Sequence, residues 1–226
     1  MKNIIITGTS RGIGFALANY FAEANHRVLA LSRDASTLNA VAHPNITVLA
    51  TDLSDEKQLD TVVNFVSTNW DHVDILINNA GKLINKPFAE LSVSDFTEVY
   101  KVNVFAVAAL TQKMLPFLKR GSHVVTISSM GGVQGSLKFP GLAAYSSSKG
   151  AVITLSELLA EEYKEEGISF NVLALGSVQT EMLEEAFPGY QAPVSPIEMA
   201  AYIADFSLNG HRFYNGKILP VSSTNP

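Results

Sequence analysis

The 226-residue sequence contains no cysteine. Disulfides, thiolate metal sites, iron–sulfur clusters and cysteine nucleophiles are therefore excluded, and a reducing compartment is permitted. Charge is also scarce: Asp, Glu, Lys and Arg make up 16% of the chain, against roughly 25% in an average soluble domain. So sparse a charged surface predicts that part of the exterior is covered, most simply by subunit contacts. The charge present leans acidic, 21 carboxylates against 16 Lys and Arg for a formal charge of -5. No run of basic residues interrupts it, which leaves no footing for nucleic acid or an anionic membrane. The longest apolar run, Val104 to Leu110, falls far short of the ~20 residues a membrane-crossing helix needs. A first strand that starts at Lys2 and runs into Gly8 leaves no room for a cleavable leader, so the expected location is the cytoplasm.

What the chain does have is a recurring apolar, β-branched burst. These fall at Asn3–Thr7, Arg27–Leu31, Ile46–Ala50, Val73–Ile77, His123–Ile127, Ser169–Leu175 and Gly216–Val221. Short continuous runs of this kind mark strands covered on both faces. Between them lie helical spacings: Phe15, Leu17, Ala18 and Phe21; Leu59, Val62, Val63 and Val66; and the longer stretches Phe96–Leu118 and Ala143–Glu166. Ser54 and Ser94 stand where N-caps are expected. Strand alternating with helix predicts one α/β domain over 1–226, a doubly wound parallel sheet of about seven strands with helices on both faces. Only 181–196, with Pro188, Gly189, Pro193 and Pro196, lacks periodicity and reads as a short insert on the substrate side.

Thr7-Gly8-Thr9-Ser10-Arg11-Gly12-Ile13-Gly14 joins the first strand to the first helix. Glycines there permit a tight turn and let a pyrophosphate approach the N–H groups at the helix start. The same segment also fits G-x-S-x-G, the nucleophile elbow of a serine hydrolase, with Asp205 and His211 in the right chain order for a triad. Only seven residues precede Gly8, however, too few for the loop that normally completes the oxyanion hole. The second strand ends Leu31-Ser32-Arg33. An arginine there, joined by Arg11 in the glycine turn, suits a 2′-phosphate and favours NADP over NAD. Asp34 in a shifted register would serve a ribose instead.

Tyr145-Ser146-Ser147-Ser148-Lys149 opens the long helix after the fifth strand, and the four-residue spacing sets phenol and ammonium on one face. A free tyrosine has a pKa of ~10, and bringing it to ~7 needs about 4 kcal/mol of preference for the phenolate. A lysine ammonium together with a cationic nicotinamide in a partly dry site could supply it. Ser128-Ser129 end the preceding strand, at the sheet edge where open α/β folds bind ligands. Asn103, an amide among apolar neighbours, needs a specific hydrogen-bonding role.

With these residues in this order, the chain resembles the short-chain dehydrogenase/reductase family. The resemblance runs through Thr7–Gly14, Asp52-Leu53, Asn78-Asn79-Ala80-Gly81, Asn103, Ser129, Tyr145/Lys149 and Gly176 to Thr180, nearly the whole length. It implies a Rossmann-like sheet and a hydride transfer between a nicotinamide and a carbonyl or alcohol. Tyr145 would be the general acid or base, Ser129 would hold the substrate oxygen, and Lys149 would bind the ribose hydroxyls and lower the Tyr145 pKa. Asn103 would hold a water linking Lys149 to solvent. Thr7, Gly8, Ser10, Arg11, Gly12, Ile13, Gly14 and Arg33 would form the phosphate end of the cofactor site. Asp52 would face the adenine amino group, Leu53 would offer backbone, and Asn79, Ala80 and Gly81 would line the adenosine ribose. Gly176, Val178 and Thr180 would meet the nicotinamide end. Asp52 and Thr180 also read simply as helix caps.

The chain departs from the family pattern in places. Leu175-Gly176 stands where Pro-Gly is usual, the stretch from Ser129 to Tyr145 is longer, and Val221-Ser222-Ser223 stands near the end where glycines are common. The walls expected around the substrate, 130–142 and 182–193, hold Leu137, Phe139, Leu142, Met182, Phe187 and Tyr190, suiting a modest, largely apolar ketone or aldehyde. Apolar positions on the two long helices, among them Val104, Phe105, Val107, Ala108, Leu155, Leu158 and Leu159, exceed what one sheet face needs and predict a homodimer or homotetramer. A second reading is a dinucleotide-binding sensor without turnover. Asn103, Ser129, Tyr145 and Lys149 together argue against it, since a sensor has no use for all four.

Overall fold

The computed structural model describes residues 1–222. Seven parallel strands form one sheet in the order β3-β2-β1-β4-β5-β6-β7. They are β1 (Asn3–Thr7), β2 (Arg27–Ser32), β3 (Ile46–Ala50), β4 (Val73–Asn78), β5 (Leu118–Ser129), β6 (Ser169–Leu175) and β7 (Ile218–Val221). The helices between them are α1 (Gly12–Glu23), α2 (Ser36–Val41), α3 (Glu56–Asn69), α4 (Val93–Tyr100), α5 (Ala106–Met114), α6 (Ala143–Glu162), α7 (Glu181–Ala186) and α8 (Pro196–Asn209).

Strand periodicity divides the core. Ile4 and Ile6 turn to the face covered by α1 and α8, where Leu17, Phe21, Ile203 and Ala204 are fully buried. Ile5, between them, turns to the other face and meets Leu59, Val62 and Val66 of α3 and Leu110 and Met114 of α5. Because both faces are covered, the strands read as continuous apolar runs rather than alternating ones. The chain reverses its direction of winding at β1, which pairs with β2 on one side and β4 on the other. Crevices at such reversals, beyond the carboxyl ends of the strands, are where ligands bind in this architecture.

Several sequence expectations are corrected at the element ends. Asp55, not Ser54, caps α3, its side chain accepting from Lys57 N–H. Ser92, not Ser94, caps α4 and forms a reciprocal capping box with Asp95. That pairing satisfies two orphan donors at once, which a Ser94 cap could not. The single helix expected over Phe96–Leu118 is broken into α4, a π-turn at Lys101–Phe105, α5 and a 3-10 turn at Leu115–Phe117, where Pro116 stands. β5 is longer than expected, and α6 ends at Glu162 rather than Glu166. In 181–196, which lacks periodicity, a six-residue helix, α7, forms behind the Thr180 cap. Val178 then pairs with Val194 in an isolated bridge.

Candidate active site

The glycine turn after β1 is fitted to the loop after β4. Thr7 Oγ1 accepts from the backbone N–H groups of Asn79 and Ala80 at 3.0 and 2.9 Å. The Asn79 amide donates back to the carbonyls of Thr7 and Gly8 at 2.9 and 3.2 Å. This lacing brings the chain so close that only glycine fits. A Cβ on Gly14 would lie 2.2 Å from the Gly8 carbonyl oxygen, and one on Gly8, where φ is +73°, would lie 2.7 Å from Ala80 Cα. The turn therefore keeps backbone N–H groups at the start of α1 free of side chains, the geometry a phosphate requires. Ser10 is half-buried beside it and Ile13 packs against the core below. Thus the residues present fit a dinucleotide's phosphates.

Other expected cofactor contacts are engaged within the protein. Asp52 accepts from Ser54 through both N–H and hydroxyl, which hold its carboxyl below the usual carboxylate range. The nearby positive charge of Arg33 adds to this effect. Leu53 packs on the core. Thr180 is the N-cap of α7, accepting from Leu183 N–H. A Cβ on Gly176 would meet Ser222 Oγ at 2.5 Å, and Val178 is buried. Asp34 accepts from Ser36 N–H at the surface. Arg33 is exposed at the end of β2. Arg11 makes a two-pronged pair with Glu185 of α7, one contact at 2.9 Å. Glu185 is a partner that the sequence reading missed.

On the other side of the crevice, Tyr145, Ser129 and Lys149 come together. β5 carries Ser129 to its carboxyl end. The 3-10 turn at Met130–Gly132 then packs so tightly on α6 that a Cβ on Gly132 would lie 2.6 Å from the Lys149 backbone. Ser128 Oγ donates to the Lys149 carbonyl at 3.0 Å, locking helix to strand. Lys149 is 5% exposed. Its ammonium donates to the Ile127 carbonyl at 2.8 Å and lies 5.8 Å from the Tyr145 ring centroid. Burial pulls the Lys149 ammonium down to about 8. Burial also pushes the Tyr145 phenol up to about 12, while a hydrogen bond with Ser129 pulls it back toward ionisation. The lysine alone thus leaves the phenol protonated, contrary to a simple Tyr–Lys activation. The further preference for phenolate has to come from another positive charge brought to the site.

Asn103 sits in the π-turn, a helical irregularity that often marks functional positions. Its Oδ1 accepts from Lys82 N–H at 2.7 Å, and its amide donates to the Lys82 carbonyl and to Ser148 Oγ, each at 2.9 Å. It therefore braces the loop after β4 against α6, a role that the sequence reading did not foresee. Gly81 keeps the adjoining space clear. A Cβ there would lie 3.7 Å from both Asn103 Oδ1 and Lys149 Nζ and 4.0 Å from Met182 Cε, so these groups share one opening. The serine-hydrolase alternative fails. Asp205 accepts from Asn209, and His211 packs at a tilt against His123, so both are engaged elsewhere than with Ser10.

Two loops frame the opening. Asn85 donates to the Ala186 carbonyl at 2.8 Å, and Lys86 N–H donates to the Gly141 carbonyl at 2.9 Å. The loop after β4 thereby joins α7 to the segment 137–142. Leu137, Phe139 and Tyr190 are exposed, Met182 and Phe187 half-buried and Leu142 buried. Along α7 runs a groove whose charged lining is Glu181, Glu184 and Glu185. Among the described residues no helix is long and apolar enough to cross a membrane.

Comparison with known proteins agrees with this geometry. The family pattern described as short chain dehydrogenase matches residues 2–191. A dehydrogenase/reductase SDR family protein 7-like from Drosophila melanogaster is 35% identical over 83% of this chain and 60% of its own length. Gluconate 5-dehydrogenase from Gluconobacter oxydans is 30% identical over 96% of this chain and 91% of its own. The chain spans 60% and 65% of the lengths of two of the curated relatives it matches. A crystal structure of a short chain dehydrogenase from Burkholderia cenocepacia J2315 in complex with NADP superposes with a TM-score of 0.89 at 26% identity, covering 99% of this chain and 97% of that one. A 4-hydroxyisoleucine dehydrogenase complexed with NADH gives a TM-score of 0.87 at 26% identity, covering 98% and 97%. With the family pattern matched over residues 2–191 and the sheet superposed over nearly its whole length, the chain belongs to the short-chain dehydrogenase/reductase family.

Proposed function

We propose that the protein is an NADP(H)-dependent oxidoreductase that interconverts a small, largely apolar ketone or aldehyde and its alcohol. The observation that carries this reading is the convergence of Tyr145, Ser129 and Lys149 at the end of β5, across one crevice from a glycine turn shaped for phosphate. Thr7, Gly8, Ser10, Arg11, Gly12, Ile13, Gly14, Arg33, Asp52, Leu53, Asn79, Ala80, Gly81, Gly176, Val178 and Thr180 are the residues proposed to hold the dinucleotide. A nicotinamide bound there supplies or accepts the hydride.

The chain's own groups do the rest. Ser129 hydrogen-bonds the reacting oxygen and offers its hydroxyl to the charge that develops on it. Tyr145 donates the proton in reduction and takes it in oxidation. Lys149, a cation beside the ring, favours the phenolate and orients the ribose. Asn103 Oδ1 keeps one lone pair free after bonding Lys82, and its position beside Lys149 around Gly81 supports a water-linked route that returns a proton to Tyr145. Met182, Leu137, Phe139 and Tyr190 supply apolar contact, and the glutamates along α7 disfavour a polyanionic substrate. Arg11 and Arg33 support the preference for NADP(H). Phe105 and Leu158, 58% and 61% exposed, support a homodimer or homotetramer through α5 and α6, and sedimentation at monomer mass alone would refute that.

A spectrophotometric screen of ketones, aldehydes and alcohols with NADP(H) and NAD(H) in parallel tests the reading. Turnover of apolar carbonyls with NADPH is expected. Binding of dinucleotide without turnover across the whole panel would favour the sensor instead.

A further inference from the structure

α7 has no fully buried side chain, and Met182, Leu183 and Ala186 are half-buried. It is held over the crevice by polar contacts: the Thr180 cap, the Asn85 bond to the Ala186 carbonyl, and the paired contact between Arg11 and Glu185. The last of these reaches into the cofactor side. Its first-turn neighbour, Glu181, also bears on the glycine turn, with Oε2 3.5 Å from where a Cβ on Gly12 would lie. Helix α1 has no acidic residue in its own first turn, and its N-cap, Arg11, makes no capping bond. The positive end of α1 and the Arg11 guanidinium therefore find their negative partners on α7. Two carboxylates, Glu181 and Glu185, thus face the glycine turn from α7.

We propose that Glu185 is the counter-ion that a 2′-phosphate must displace from Arg11, so that it sets the preference between NADP(H) and NAD(H) and ties the seating of α7 to the adenosine end of the cleft. This rests on the dinucleotide reading above. A guanidinium fork presents its paired N–H groups to one planar or tetrahedral oxyanion at a time. Glu185 occupies the Nη1/Nη2 edge, so a phosphate docking on that edge competes with it for the same two donors, whereas NAD(H), with only a hydroxyl at that position, leaves the pair intact. When the phosphate takes Arg11, α7 loses its cofactor-side tether and keeps only the Thr180 cap and the Asn85 bond. Glu185 is in this sense a positioning and specificity residue that touches no reacting atom.

Both partners are about half exposed, 48% and 61%, and an exposed pair is modest in strength. Glu185→Gln removes the competing charge at constant size. Titration of nicotinamide fluorescence against protein is expected to show NADPH binding about two- to fivefold tighter in this variant, with NADH affinity unchanged. In an Arg11→Gln background the same substitution is expected to change neither affinity, the coupling that a double-mutant cycle isolates. Equal tightening of both nucleotides, unchanged NADPH affinity, or an effect that survives loss of Arg11 would each overturn the proposal. A wild-type protein that binds neither nucleotide would overturn the dinucleotide reading itself.

Discussion

The buried Lys149 ammonium is a burden on the fold, and the burden has a defined size. Folding takes the ammonium from water to a site 5% exposed, and pulls its pKa from 10.5 to about 8. At 1.36 kcal/mol per pH unit, that difference amounts to about 3 kcal/mol. Below pH 8 the lysine is protonated in both the folded and unfolded chain, so the full penalty applies. Between about 8 and 10.5 the unfolded chain binds the extra proton, and stability rises with pH until the penalty is gone. Lys149→Met removes the charge at similar volume and leaves the Ile127 carbonyl without its donor, a loss of about 1–3 kcal/mol. That loss is independent of pH, and the lysine term is not. Denaturant unfolding of wild type and variant from pH 7 to 10 should therefore show wild type gaining about 3 kcal/mol on the variant across the series. Parallel curves would refute the buried-ammonium account. Both proteins carry Tyr145, whose raised pKa lowers stability only as pH climbs from 10 toward 12.

Three other outcomes follow from particular contacts. Gly14→Ala places a methyl 2.2 Å from the Gly8 carbonyl; it should cost roughly 1–3 kcal/mol and abolish dinucleotide binding, both readable by thermal shift with and without NADPH. His123 is fully buried and neutral, with Nδ1 donating to the Ser207 carbonyl and Nε2 accepting from Asn171, and its pKa is lowered to about 4. Stability should fall by up to about 3 kcal/mol as pH drops from 6.5 to 4, and His123→Gln should flatten that limb in pH-dependent melting curves. Asn103→Leu leaves the Lys82 N–H and carbonyl without their Asn103 partner, while the Ser148 hydroxyl keeps its bond to the Tyr145 carbonyl. It should cost a few kcal/mol and lower turnover, measured by unfolding and by initial rates.

The sheet was legible because burial on both faces writes itself as unbroken runs such as Asn3–Thr7 and Ser169–Leu175, and its parallel pairing follows from the alternation with helices. The grouping of Ser129, Tyr145 and Lys149 was legible because its members lie at strand and helix ends that the runs locate. Cap positions were not. Ser54 and Asp55 are both good capping residues by type, as are Ser92 and Ser94, and the choice of Asp55 and Ser92 depends on which neighbour, Lys57 N–H or Asp95, the turn brings within reach. The π-turn at Asn103 was hidden because the groups that Asn103 bonds, on Lys82 and Ser148, lie 21 and 45 residues away. Glu185 was hidden for the same reason: its partner Arg11 lies 174 residues away, and 181–196 shows no periodicity to place a helix. In that segment Thr180, read either as cofactor contact or cap, is a cap in the structure.

The claim on which the functional account rests is that the Tyr145 hydroxyl transfers the proton. Tyr145→Phe removes that oxygen and leaves the ring, the glycine turn and Lys149 in place. With a carbonyl that the wild type reduces, the variant should bind NADPH with little change and lose about 10²- to 10⁴-fold in kcat, the range for a positioned general acid. A variant that keeps kcat within a few-fold of wild type would contradict the account.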